Sequence, residues 1–83
     1  MRVTVFSTTH CTSCVALKQW LADRDVTITS KVIDADPQAM TDFLAVSDGH
    51  LGVPFSLVET PDGEPVKIAG FDPRRFVAAG IDR

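Results

Sequence analysis

Two cysteines, Cys11 and Cys14, stand where a short apolar strand pattern gives way to a helical one, and this junction constrains the fold most strongly. Residues 2–6, RVTVF, are rich in β-branched residues and predict a strand. From Val15 onward, apolar residues recur at helical spacing as far as Leu21, and the polar ADRD then ends the predicted helix. The cysteine pair is therefore predicted at the start of a helix that closely follows a strand.

The rest of the chain continues this alternation, which predicts the order β-α-β-α-β-β-α. Further strands are predicted at residues 26–34, 53–60 and 65–69. Asp-Pro pairs open the second and third helices, because Asp is a good N-cap and Pro suits the first helical position. These pairs are Asp36–Pro37 and Asp72–Pro73, and the last helix is expected to end near Gly80. The turn PDGE, residues 61–64, joins the last two strands as an antiparallel hairpin.

Strands linked through a single helix need crossover connections, which are right-handed and make neighbouring strands parallel. The hairpin adds an antiparallel edge. The sequence thus predicts an α/β protein with a four-stranded mixed sheet and helices on both faces, which resembles the thioredoxin-like fold. A chain of 83 residues is too short for two separate cores, so we expect a single domain over residues 1–83. The aromatic residues expected in or near its core are Phe6, Trp20, Phe43 and Phe55.

Charge and hydropathy argue against several classes of partner. The net charge is −3 and the 8 Lys and Arg residues are scattered, whereas a nucleic-acid binder normally shows a basic stripe. No run of about 18 apolar residues is present, and the first residues lack the apolar segment and cleavage site of a secretory signal. We therefore expect a cytoplasmic protein that contacts neither nucleic acid nor membrane. Nothing in the sequence argues for a dimer, so a monomer is expected.

The position of the cysteine pair predicts two different chemical roles. At a helix start, Cys14 lies one turn after Cys11 on the same face, so the two sulfurs can approach each other. Free backbone N–H groups and the helix dipole favour a thiolate on Cys11, and the pKa of such a thiol falls from ~8.5 to between ~3.5 and ~7.5. We therefore predict that Cys11 is the nucleophile and that Cys14 resolves the mixed disulfide. No bound cofactor is expected, since the redox-active group is the pair itself.

Four polar neighbours are candidates for tuning the pair: His10, Thr12, Ser13 and Lys18. A protonated His10 would lower the pKa of the nucleophile, although an exposed loop histidine is the simpler interpretation. Thr12 and Ser13 stand between the cysteines and would influence the reduction potential. Lys18 lies on the same helical stripe as the cysteines, where it would either hold negative charge near the site or remain a solvated lysine.

A zinc site and a structural disulfide are the alternatives to redox chemistry. Zinc takes four N, S or O ligands. The candidates for these ligands are His10, Cys11, Cys14 and His50, with no second C-x-x-C. Adjacent His10 and Cys11 fit one ion awkwardly, and a disulfide that closes so small a loop adds little stability. A C-x-x-C beside a βαβ pattern favours redox chemistry, and no metal is expected.

With these motifs, the sequence resembles the glutaredoxin and thioredoxin superfamily. It is most similar to the NrdH-redoxins, which are glutaredoxin-like electron donors of class Ib ribonucleotide reductase. The resemblance rests on RVTVF, on CTSC with Lys18 beyond it, on the Val-Pro that opens the third strand, and on AGFDP before the last helix. It implies that Pro54 is a cis-proline facing the cysteines and that Val53 offers its backbone to a substrate strand. Gly70 and Phe71 would line the same groove, with core packing as the alternative for Phe71.

The resemblance also implies a function. The protein would be a dithiol–disulfide oxidoreductase that passes electrons from thioredoxin reductase to a protein disulfide, such as that of ribonucleotide reductase. One alternative is a glutathione-dependent glutaredoxin, but those proteins carry Pro-Tyr between the cysteines, Thr before the Val-Pro, and an acidic pair near the last helix. Here Thr12–Ser13, Gly52 and the single Asp72 stand at those places. A second alternative, from a different class, is a zinc-binding or partner-docking module on the same fold.

Overall fold

The structure, a computed structural model, describes residues 2–61 and 63–81. The elements in chain order are β1 (Arg2–Ser7), α1 (Thr12–Ala22), β2 (Thr27–Val32), α2 (Pro37–Val46), β3 (Phe55–Glu59), β4 (Val66–Ala69) and α3 (Pro73–Ala78). The predicted order is confirmed, and β2 and β3 are somewhat shorter than predicted. Asp62 of the predicted PDGE turn lies outside the described residues. None of the helices in the described part of the chain is long and apolar enough to cross a membrane.

The four strands form one mixed sheet in the order β2-β1-β3-β4. β1 and β2 are parallel and β3 and β4 antiparallel, as predicted, but β3 pairs antiparallel with β1. The prediction that crossover-linked strands are parallel neighbours is therefore wrong for β3. β2 ends opposite Ser7, and β3 begins opposite Phe6, so both are at the same end of the sheet. Segment 47–54 brings the chain back to that end after α2, which reverses the direction of β3.

β1 is buried on both faces, and its alternating side chains enter two cores. The first core contains Val3, Val5, Leu17, Leu21, Val58, Ile68, Phe76 and Ile81. The second contains Phe6, Ile33, Ala39, Phe43 and Phe55. Because α1 and α3 contribute to the first core and α2 to the second, helices cover both faces, as predicted. Trp20 packs at the edge of the first core, which agrees with its expected place near the interior.

The two Asp-Pro pairs begin their helices as predicted. Asp36 Oδ1 accepts a hydrogen bond from the Gln38 N–H at 3.0 Å, and Pro37 stands in the first turn of α2. Asp72 does the same for α3, where its Oδ1 accepts from the Arg74 N–H at 3.1 Å. Each carboxylate satisfies a backbone donor that a helix start leaves without an internal partner.

Candidate functional site

Each of the four strands has one of its ends at the same end of the sheet. The loops at this end carry most of the predicted site residues. The residue pairs that establish this are Ser7–Val32, Phe6–Phe55 and Phe55–Ala69. They place the carboxyl ends of β1, β2 and β4 beside the amino end of β3. The loop after β1 leads to Cys11, Pro54 directly precedes β3, and Gly70 directly follows β4. We call this edge, with its loops, the site end of the sheet.

The cysteine pair lies at the first turn of α1. Cys11 is the N-cap residue with extended backbone, and it forms a disulfide with Cys14, their Cα atoms being 5.2 Å apart. The Cys14 backbone N–H donates to Cys11 Sγ across 3.2 Å. Cys14 is 1% exposed, whereas Cys11 is only half-buried. The arrangement offers a more exposed cysteine whose sulfur lies beside a backbone donor and a second, buried cysteine, which suits two-step thiol–disulfide exchange.

Three polar neighbours of the cysteine pair are exposed. They are His10, which precedes Cys11, and Thr12 and Ser13, which stand between the two cysteines. Ser13 Oγ lies 3.7 Å from Cys11 Sγ, within the range of a weak hydrogen bond to sulfur. Thr12 opens α1 and presents its side chain to solvent. His10 lies in the turn immediately before Cys11. Of these three neighbours, Ser13 is therefore the one with a direct contact to the accessible sulfur.

A contact that the sequence reasoning missed ties the loop after β1 to the end of β2. The Thr9 backbone N–H donates to Asp34 Oδ1 and Oδ2 at 3.0 and 3.1 Å, and the Thr9 hydroxyl donates to Oδ1 at 2.9 Å. The backbone hydrogen bond from Thr9 is the main cause that holds the pKa of Asp34 below its usual value. The Thr9 hydroxyl and the charge of His10 act in the same direction. The available signal for this contact was an acidic residue, Asp34, at the end of a predicted strand parallel to β1.

Lys18 reaches back towards the site end from the second turn of α1. Its ammonium donates to Ser7 Oγ across 3.2 Å, and Ser7, the last residue of β1, is 1% exposed. The Lys18 side chain is therefore half-buried against the strand and does not extend into solvent. This contact joins α1 to β1 and leaves a positive charge at the start of the loop that leads to Cys11.

The loop before β3 and the residue after β4 are joined by a hydrogen bond. The Val53–Pro54 peptide bond is cis, as the resemblance implied, and Pro54 is buried. The Gly70 N–H donates to the Pro54 carbonyl oxygen across 2.8 Å. Gly70 has φ +80°, and a Cβ built on it would meet no atom within 4 Å. Open space therefore lies over Gly70, where another backbone can approach closely.

Phe71 and Val53 are both half-buried at this end of the fold. The Phe71 ring meets the Trp20 ring edge-on, with centroids 6.1 Å apart, and packs against the first core. Val53 packs against the second core. Two large apolar residues that the sequence reasoning did not single out are exposed. Val15, which follows Cys14, is 68% exposed, and Leu51, two residues before Val53, is 74% exposed. Phe71 therefore has a clear packing role, and the apolar surface comes mainly from other residues.

The candidate zinc ligands do not form a cluster. Across residues 2–61 and 63–81, no group of three or more His, Cys, Asp or Glu side chains is arranged to hold a metal ion. The His50 ring instead lies 5.8 Å from the Phe55 ring, centroid to centroid. A Cβ at position 52 would come within 3.1 Å of Nε2 of the exposed His50 side chain, which would have to shift by a few tenths of an ångström. His50 thus lies beside Gly52 and Phe55 and not beside the cysteines.

A protein-family model described as Glutaredoxin matches residues 3–55, which include all of β1 but its first residue, the cysteine pair, α1 and Pro54. A comparison with curated proteins found no significant match.

Several solved structures share the fold. The thioredoxin-like protein BC3987 and its T8A mutant each match with a TM-score of 0.74 and 24% identity, over 92% of this chain and 96% and 95% of theirs, respectively. The glutaredoxin-like protein NrdH-redoxin from Escherichia coli, described with a thioredoxin-like activity profile, matches with a TM-score of 0.73 and 22% identity over 100% of both chains. The predicted thioredoxin-like fold is therefore confirmed.

Proposed function

The chain belongs to the glutaredoxin family of thiol–disulfide oxidoreductases, and from this premise we propose that it is a dithiol carrier that takes electrons from thioredoxin reductase and reduces a protein disulfide. The disulfide of ribonucleotide reductase is the acceptor that the similarity to NrdH-redoxins favours. The observation that carries the proposal is the Cys11–Cys14 pair at the start of α1, with Cys11 half-buried and Cys14 buried. The carrier acts as a cytoplasmic monomer without a bound cofactor.

In the first step, the Cys11 thiolate attacks one sulfur of the substrate disulfide. A mixed disulfide forms between Cys11 and the substrate, and the other substrate sulfur leaves as a thiolate that takes up a proton. The Cys14 N–H, 3.2 Å from Cys11 Sγ, supports the negative charge on the attacking sulfur. The position of Cys11 at a helix N-terminus acts in the same direction.

In the second step, Cys14 loses its proton and attacks Cys11 Sγ. The Cys11–Cys14 disulfide forms, and the second substrate sulfur leaves and is protonated. The substrate has then gained two electrons from the cysteine pair and two protons, of which one balances the proton lost by Cys14 and the other comes from water, to which Cys11 released its own proton when the thiolate formed. Thioredoxin reductase returns the two electrons at the expense of NADPH. The 1% exposure of Cys14 supports its role as the resolving residue, because an external disulfide has little access to it.

We propose that the substrate segment lies as an extended strand against Val53, with Pro54, Gly70 and Phe71 bordering its path. The open space over Gly70 supports this path, since a backbone can pass there without meeting a side chain. The exposed Val15 and Leu51 favour a protein surface as the partner, because large apolar side chains gain from being covered.

Three features favour thioredoxin reductase over glutathione as the reductant. Thr12 and Ser13 replace the Pro-Tyr of glutathione-dependent relatives, and Gly52 replaces a threonine. Asp72, which stands at the place of the acidic pair, is already engaged as the N-cap of α3. Its carboxylate also lies 3.7 and 3.8 Å from the guanidinium groups of Arg74 and Arg75, respectively. These contacts leave Asp72 poorly placed to bind the glutathione backbone.

A coupled assay of NADPH oxidation with insulin as the acceptor tests the reductant. One version contains thioredoxin reductase, and the other contains glutathione with glutathione reductase. We expect turnover in the first version only. Turnover with glutathione alone would contradict the proposal and favour a glutathione-dependent glutaredoxin. Stoichiometric zinc in the purified, reduced protein would instead favour a metal-binding module.

Trapping of the intermediate tests the roles of the two cysteines. The variant Cys14→Ser should accumulate a mixed disulfide with the substrate through Cys11, because the resolving step is blocked. Mass spectrometry of the non-reduced complex identifies the linked residue. Cys11→Ser is the matched control and should accumulate none. A stable adduct in Cys11→Ser but not in Cys14→Ser would reverse the assignment.

A further inference from the structure

The loop between β1 and α1, which leads to Cys11, forms hydrogen bonds with a residue that belongs to neither of these elements. Asp34 follows β2, yet its carboxylate accepts three hydrogen bonds from Thr9, two from the backbone N–H and one from the hydroxyl. Both residues are exposed, so the contact contributes no apolar burial. Its effect is geometric, because it fixes the position of one peptide group and one side chain together.

Thr9 stands two residues before Cys11, in the turn between β1 and α1. Cys11 has the extended backbone of an N-cap, with φ −130° and ψ 98°, and this conformation directs its Sγ to the Cys14 N–H. The chain can reach this geometry only if the preceding turn leaves β1 in the right direction. The hydrogen bonds between Thr9 and Asp34 are contacts from outside the loop that are made within this turn.

We propose that Asp34 is a positioning residue for thiol–disulfide exchange, which acts through Thr9 to keep Cys11 Sγ beside the Cys14 N–H. This inference rests on the proposed role of Cys11 as the nucleophile. The charge of Asp34 and its positioning role predict opposite effects on the pKa of the Cys11 thiol. A nearby carboxylate charge by itself disfavours a thiolate and raises the thiol pKa, whereas correct placement beside the N–H groups of the helix start lowers it. The other charged groups around the loop are His10 and Lys18.

The test compares the pKa of the Cys11 thiol in the reduced protein across four variants. This pKa is read from the pH dependence of alkylation by iodoacetamide, with the modified residue identified by mass spectrometry. Asp34→Ala removes both acceptor oxygens, and Asp34→Asn removes the charge but keeps an oxygen for Thr9. Thr9→Val removes only the hydroxyl and keeps the N–H. Asp36→Ala is the matched control, since it removes an exposed carboxylate that caps α2 and makes no contact with Thr9.

We expect Asp34→Ala to raise the Cys11 pKa and to slow reduction of a small disulfide at neutral pH several-fold, because a smaller fraction of Cys11 is then present as the reactive thiolate. Thr9→Val should shift the pKa in the same direction by less. Asp34→Asn should restore most of the wild-type rate, and Asp36→Ala should lower stability while leaving both the pKa and the rate unchanged.

An unchanged or lowered Cys11 pKa in Asp34→Ala would overturn the inference, as would an equal shift in Asp36→Ala. If circular dichroism shows that Asp34→Ala does not fold, Thr9→Val decides, and an unchanged pKa and rate in that variant overturn the inference. Failure of the proposed function has a different signature. Wild-type protein alkylated first at Cys14 contradicts the role of Cys11, whatever the Asp34 variants do.

Discussion

Replacement of Gly70 by alanine tests whether the space over the end of β4 belongs to a substrate groove. Gly70 has φ +80°, a conformation that L side chains rarely adopt, and its added Cβ would meet no atom within 4 Å. The cost in stability therefore comes from the backbone alone. It amounts to about 1–2 kcal/mol for a side chain in the left-handed region, and each kcal/mol lowers the Tm of a chain of this size by roughly 4–8 °C. Gly49 is a matched control, since it has φ +88° and equally open surroundings.

The two variants should lose similar stability in thermal or urea denaturation, but only Gly70→Ala adds a methyl group beside Pro54. At a temperature where both are folded, we expect Gly70→Ala to reduce insulin disulfides several-fold more slowly than the wild type. Its rate with a small disulfide, which does not need an extended groove, should fall less. Gly49→Ala should keep the wild-type rate with both substrates. Equal insulin rates for the two variants would refute the groove, and wild-type stability of Gly70→Ala would refute the backbone argument.

Three further predictions concern stability. Ser56 Oγ is buried and has no hydrogen-bond partner among the described residues. Ser56→Ala should therefore raise the free energy of unfolding, measured by urea titration, by about 1 kcal/mol. A decrease would contradict this. Phe43 is 1% exposed. Because of the cavity that it leaves, Phe43→Ala should lower the free energy of unfolding by about 3–5 kcal/mol. A loss below about 1 kcal/mol would contradict the place of Phe43 in the second core. The hydrogen bond from Lys31, 2.6 Å long, is the main cause that lowers the pKa of Asp42 below 3.8. The stability that Asp42 contributes is therefore present above the unfolded pKa and is lost as pH falls through the lower folded pKa, so Asp42→Asn should weaken the acid dependence of unfolding. An NMR titration that places the Asp42 pKa at or above 3.8 would oppose this.

The elements that the sequence predicted correctly depend on short-range patterns. Asp36 and Asp72 cap their helices because an Asp-Pro pair contains both the acceptor and the fixed φ of a helix start. Cys11 becomes an N-cap for a related reason, since its sulfur accepts from a backbone N–H of the first turn. Each of these features is decided within four residues. The cysteine half of the candidate site could therefore be predicted directly from sequence.

The direction of β3 could not be predicted in the same way. It depends on the path of segment 47–54, which has no helical or strand periodicity to show that it returns to the site end. The crossover rule assumes that a helix carries the chain to the opposite end of the sheet before the next strand begins. Here the antiparallel entry of β3 brings Pro54 to the cysteines' end of the sheet. The proline half of the site was reached only through the family resemblance.

The contact between Thr9 and Asp34 lies between these two cases. It joins residues 25 positions apart, so no local pattern contains it. It follows, however, from the parallel pairing of β1 and β2, which was predicted correctly. Parallel strands finish at the same end of the sheet, so an acidic residue shortly after β2, such as Asp34, lies at the same end as the loop that leaves β1. The cysteine loop thus depends on the β1–β2 pairing and the groove on the β1–β3 pairing, and substitutions at Asp34 and Gly70 should affect thiol pKa and protein-substrate turnover separately.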